Sequence, residues 1–153
     1  MLILIRGAGD IATGIALRLH RAGMQVVMTD LPHPTAIRRT VCFSPAIALG
    51  AAEVEGVRAV CARDVLHARA LLAAGAVPVL ADPDCLCRRE LRPDALVDAI
   101  LAKRNLGTAL TDAPVVIGVG PGFTAGTDCH AVVETMRGHT LGRVIYKGSA
   151  LPN

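Results

Sequence analysis

Residues 2–23, LILIRGAGDIATGIALRLHRAG, decide the fold. Leu2–Arg6 is a short apolar run of the kind that forms a buried strand, and Ile11–Arg21 carries Ile11, Ile15, Ala16 and Leu19 on one helical face. Asp10 stands where a helix starts and Gly23 where it stops. Between strand and helix, Gly7-Ala8-Gly9-Asp10-Ile11-Ala12 fits the G-x-G-x-x-G/A turn that holds a dinucleotide. Each small residue has its own task there. Gly7 permits the tight turn, Gly9 lets backbone approach a pyrophosphate, and Ala12 lets the helix pack closely on its strand. The free N–H groups of the helix would then face the phosphates.

The turn has a partner further along. Gln25–Thr29 reads as a second strand closed by Asp30, which lies about 21 residues beyond Gly9. A carboxylate there accepts hydrogen bonds from ribose hydroxyls and repels a 2′-phosphate, favouring NAD over NADP. Arg38 and Arg39 would soften that preference if their loop folded back.

Beyond Pro32 and Pro34, Thr35–Leu49 reads as mostly helical. Val57–Cys61 is a third strand, with Glu53–Gly56 able to make a hairpin before it. Asp64–Ala74 is a helix closed by Gly75, and Val77–Ala81 a fourth strand. PDALVDAILAKRN (residues 93–105) fits a helix by its Leu96, Val97, Ile100 and Leu101 spacing. Alternation of strands and helices favours a buried strand there, after a short helix at Asp84–Leu91. Val115–Val119 is another strand, and His130–Met136 with Arg143–Tyr146 suggests an antiparallel hairpin. The expected class is α/β: a Rossmann-like, mostly parallel sheet with helices on both faces and a C-terminal antiparallel hairpin.

The 153 residues suit one nucleotide-binding domain over residues 1–153, and GSALPN at its end reads as a linker toward something longer. One Tyr, two Phe and no Trp leave no stacking platform for single-stranded nucleic acid. A net charge of +3 from scattered Lys and Arg makes no nucleic-acid surface. No apolar run reaches the roughly 18 residues that span a bilayer. A first strand starting at Leu2 leaves no room for a secretion signal. Five cysteines without a metal-binding Cys-x-x-Cys pair read as reduced thiols, so a cytoplasmic location is expected. An apolar fraction of 52% leaves scope for a homodimer interface.

Ligands of an open parallel sheet sit beyond the carboxyl ends of its strands. Asp30, Asp82–Asp84, Lys103–Asn105 and the Gly120-Pro121-Gly122 turn are expected there. Lys103 would meet a phosphate or carboxylate, and Gly120 and Gly122 would bring backbone close to the ligand. Asp128, Cys129, His130 and Glu134 form the only reactive-looking cluster, and a structural reading is favoured for it. His20, His33, His67 and His139 read as surface residues.

Four stretches together resemble the accessory family of selenium-dependent molybdenum hydroxylases: residues 3–43, VPVLADPDCLC (77–87), PDALVDAILAKRNLGT (93–108) and residues 115–153. That resemblance implies a Rossmann-like domain with a role in maturing a molybdenum hydroxylase, in a bacterial or archaeal cytoplasm. It also implies a chain that continues past GSALPN. The expected function is therefore a nucleotide-binding accessory domain that takes NAD or a cytosine dinucleotide of molybdopterin, with a molybdenum hydroxylase as partner. An NAD-dependent oxidoreductase is the alternative, with His130 or Lys103 as proton donor. An interaction domain whose nucleotide only reports metabolic state is a third reading.

Overall fold

The computed structural model describes all residues, Met1–Asn153. Nine strands form one sheet: β1 (Leu2–Arg6), β2 (Gln25–Asp30), β3 (Ala51–Val54), β4 (Val57–Cys61), β5 (Val77–Ala81), β6 (Ala95–Asp98), β7 (Val115–Val119), β8 (Ala131–Val133) and β9 (Val144–Ile145). Their order is β3-β4-β5-β2-β1-β6-β7-β8-β9. Every neighbouring pair is parallel except β3–β4 and β8–β9, which close the two edges as antiparallel pairs. The β3–β4 turn is two residues long, and Glu55 and Gly56 both have positive φ (49° and 80°), the twist a tight hairpin requires.

Helices α1 (Asp10–Arg21) and α2 (Pro45–Leu49) lie on one face, and α3 (Val65–Ala73) and α4 (Arg88–Leu91) on the other. Alternation along β1 makes this possible. Ile3 and Ile5 pack with Ala12, Ala16 and Ala46 on the first face, while Leu4 packs with Ala68, Leu91 and Cys129 on the second. Alanines on the buried side of α1 bring the helix close to the sheet.

The ambiguous segment at 93–105 is a strand: β6 pairs with β1 from Ala95 opposite Ile3 to Asp98 opposite Arg6. The expected helix over Thr35–Leu49 is wrong in extent. Only a 3-10 turn at Arg39–Val41 and the single turn and a half of α2 are helical. Cys42, in extended chain, and Phe43, in the bend that follows, are instead buried, and Thr13 of α1 anchors them, its Oγ1 accepting from Phe43 N at 2.9 Å. Burial of Phe43 outweighs the weak helical pattern around it. Beyond β6 the links between strands carry no helix, and Phe123, Ala125, Cys129 and Ala150 cover the second face there.

After β2 the chain returns beside it as β5, on one side of β1, and β6 follows on the other side. The reversal leaves a crevice over the carboxyl ends of β1, β2 and β6, where ligands of doubly wound sheets lodge.

Candidate functional site at the strand-order reversal

A cavity of about 530 Å³ occupies that crevice, a size suited to a small-molecule ligand. Gly7, Ala8, Gly9, Asp10, Ile11 and Ala12 line it, together with Asp30 from the end of β2. The turn over residues 7–12 and the acid predicted to work with it therefore share one wall.

The two glycines of the turn differ. Gly7 has φ +108°, and a Cβ there would lie 2.9 Å from the Ala99 carbonyl oxygen just past β6. Its lack of a side chain is an internal requirement. Gly9 has φ −72°, and a Cβ there would meet no protein atom within 4 Å. Nothing inside the protein needs glycine at position 9. Gly9 is also the N-cap of α1 and offers no side chain to the first N–H groups of that helix. Asp10 Oδ1 accepts from its own neighbour, Ile11 N, at 2.9 Å, and its other oxygen pairs with Arg38 at 3.5 Å. The loop carrying Arg38 thus folds back to the mouth of the cavity.

Ser44, which sequence reasoning did not single out, ties the turn to the acid. It is 2% exposed. Its N–H donates to the Ala8 carbonyl at 2.9 Å, and its hydroxyl lies 2.6 Å from Asp30 Oδ2 and 2.8 Å from Ala8 O. With the Ala8 carbonyl already served by an N–H, the hydroxyl proton belongs to the carboxylate. Asp30 Oδ1 accepts from Leu31 N at 2.8 Å. Each carboxylate oxygen keeps a lone pair free for a ribose hydroxyl.

On the opposite wall, Arg6 ends β1 and is 5% exposed. Its Nη2 donates to the carbonyls of Pro83 (2.9 Å) and Leu106 (3.0 Å), and its Nη1 to Thr108 Oγ1 (3.1 Å). Thr108 passes its own proton to Asp98 Oδ2 at 2.6 Å, and that oxygen stands 3.9 Å from Arg6 Nη1. Burial pushes the Asp98 carboxyl above its ordinary range, against the bonds from Thr108 and Ile100 and the Arg6 charge. Nearby, the Cys87 side chain holds the Cys85 thiol below its ordinary value against burial. Thr29 and Arg6 add to that lowering, and Cys87 is correspondingly raised.

Of the remaining predicted ligand-edge residues, Lys103–Asn105 and the Gly120–Gly122 turn do not line this cavity. Lys103 is exposed, with φ 61°. Gly120 and Gly122 meet other parts of the protein. A Cβ on Gly122 would lie 2.6 Å from Arg104 Cα, and one on Gly120 would lie 3.0 Å from Leu101 Cδ2. These glycines serve close chain packing, a need that depends on partners distant in sequence. Pro83 and Asp84 do reach the cavity, while Asp82 caps its own loop, accepting from Leu86 N and Cys87 N.

The cluster at 128–134 is spent on backbone. Asp128 accepts from Thr124 N, His130 Nδ1 from Val116 N, and Glu134 from Thr135, Met136 and Leu151 N–H groups. The Cys129 thiol is pushed up to about 11 by burial and by Asp128. His33 and His139 are exposed and His20 and His67 half-buried. All five cysteines are free thiols, and no group of three or more His, Cys, Asp or Glu side chains gathers to hold a metal ion. No helix is long and apolar enough to cross a membrane.

No protein-family profile matches the chain, and no solved structure matches it. The chain is 55% identical over 152 residues to the Escherichia coli (strain K12) protein named Uncharacterized protein YqeB. The match takes in 99% of this chain and 28% of that protein, so the chain spans less than a third of its relative's length. Nearly all of the chain is thus similar to one part of that protein, whose name states no function.

Proposed function

We propose that this chain is a nucleotide-binding accessory domain that assists maturation of a selenium-dependent molybdenum hydroxylase, taking NAD or a cytosine dinucleotide of molybdopterin. One observation carries the nucleotide reading: a helix start whose N-cap offers no side chain, a glycine there with no internal reason to be glycine, and a ribose-spaced carboxylate line one cavity at the strand-order reversal. The pyrophosphate sits against the 7–12 turn, where helix N–H groups and the positive end of the α1 dipole favour negative charge. Asp30, held by Ser44, takes the ribose diol.

The molybdenum part of the proposal rests on the resemblance of the four sequence stretches. A molybdenum cofactor would be held here through its nucleotide half, since the wall offers a phosphate cradle and a ribose acceptor. Its metal–pterin half would supply the redox chemistry of the partner hydroxylase. A carrier is favoured over an oxidoreductase because His130 and Lys103, the proton donors an oxidoreductase would use, lie outside the cavity.

Mass spectrometry of small molecules released on denaturation, with melting shifts for NAD, NADP and CTP, tests the reading. A released dinucleotide, or a shift of several degrees at millimolar ligand, supports it and separates a pyridine from a cytosine nucleotide. Gly9→Asp should abolish binding while circular dichroism stays native. Equal binding of every nucleotide by that variant would reduce the turn to a packing device.

A further inference from the structure

Arg6 is more buried than a cation at a cavity wall usually is, and it is incompletely served. Its Nε is the one buried side-chain nitrogen or oxygen in the chain with no hydrogen-bond partner. Its other donors go to two carbonyls and one hydroxyl, all neutral. The one carboxylate within 4.0 Å is Asp98, at 3.9 Å, and its nearer oxygen is already occupied by Thr108. A guanidinium stays charged at any working pH, and a buried charge without a close, well-oriented counter-charge is costly. Unpartnered buried donors in native structures call for an explanation, and a missing ligand is one.

The surroundings narrow the choice. Arg6, Pro83 and Leu106 line the same cavity as Gly9 and Asp30. The three carboxylates that line the cavity do not pair with Arg6: Asp30 is held by Ser44, Asp10 by Arg38, and Asp84 makes no ion pair with it within 4.0 Å. The polar side of the cavity therefore has two poles, one built for phosphate and ribose, the other a cation awaiting an anion.

We infer that Arg6 forms a second subsite of this cavity, one that takes an oxyanion, carboxylate or phosphate, carried by the ligand beyond its pyrophosphate. This inference rests on the nucleotide reading of the 7–12 turn and names the charge of the ligand's other half. An anion entering there supplies the close counter-charge that Asp98, at 3.9 Å, does not, and charge-assisted contacts to a guanidinium are among the strongest a site can offer.

Calorimetric titration of the whole chain with ADP, NAD and nicotinate adenine dinucleotide tests it. The last two differ by a carboxylate in place of a carboxamide. Wild type should bind the nicotinate form about tenfold more tightly than NAD. Arg6→Gln should shrink that preference to about twofold or less and leave ADP binding nearly unchanged. Equal affinity of wild type for the two dinucleotides, or a preference that survives Arg6→Gln, overturns the subsite. Should Arg6→Gln fail to fold, the wild-type preference decides alone.

Absence of binding by all three, together with no melting shift from CTP, would instead sink the nucleotide reading. The subsite would then be judged by melting shifts with inorganic phosphate and with nicotinate, which separate the two oxyanion sources. A shift in wild type that Arg6→Gln lacks supports it, and no shift with either anion overturns it.

Discussion

Helices α1 and α3 start from opposite solutions to the same problem. Any helix leaves its first N–H groups without intrahelical partners. At α3 the protein satisfies one itself: Asp64 accepts from His67 N at 2.7 Å, and His67 Nδ1 accepts in turn from Arg63 N at 3.1 Å. At α1 the N-cap is Gly9, which has no side chain to offer, Asp10 Oδ1 accepts only from its own neighbour Ile11 N, and the end faces a cavity. One terminus is finished for stability alone. The other faces the cavity where the sheet reverses its strand order, and the proposed nucleotide site rests on this contrast.

The contrast can be broken first within the turn itself. Gly7→Ala should cost about 3 kcal/mol, from left-handed backbone and overpacking against Ala99 together. That lowers the melting temperature by about 6–12 °C. Gly9→Ala should leave stability within about 0.5 kcal/mol of wild type and weaken nucleotide binding about tenfold. Paired melting curves and titrations check both. Unchanged affinity in Gly9→Ala would make the two helix starts alike after all. At the other helix, Asp64→Ala should cost about 1 kcal/mol in urea unfolding and leave nucleotide affinity untouched.

The smallest expected effect concerns the far edge of the sheet, where acids serve backbone. Bonds from Leu151 and Met136 N–H groups, with Thr135 adding to them, hold the Glu134 carboxyl below its ordinary 4.5. A lowered folded-state value means stability that is complete above pH 4.5 and lost as pH falls toward the folded value. Glu134→Gln should therefore flatten the acid limb of stability against pH below 4.5. An unchanged limb would show that the carboxylate does not staple the C-terminal segment.

Much of this architecture was legible in the chain. The apolar runs that became β1, β2, β4, β5 and β7 are local signals, as is the glycine turn, because strand burial and turn chemistry are written within a few residues, whereas β6 was legible only from the alternation of elements around it. The helix expected over Thr35–Leu49 failed for the opposite reason: Phe43 is placed by Thr13, thirty positions away. Lys103, Gly120 and Gly122 fit the expected ligand edge by position in sequence, yet tertiary packing put them outside the cavity wall.

By itself, then, the sequence determined the strand–turn–helix start, the partner acid and the alternation that yields a parallel sheet. Those features depend on backbone preferences and short-range periodicity. Tertiary structure alone decided that Ser44 clamps Asp30 to the turn, that Gly7 yields to Ala99 while Gly9 faces open space, and that Arg6 is buried with one donor unpaired. These are contacts between residues far apart in the chain, and they exist only once the sheet has brought its strand ends together.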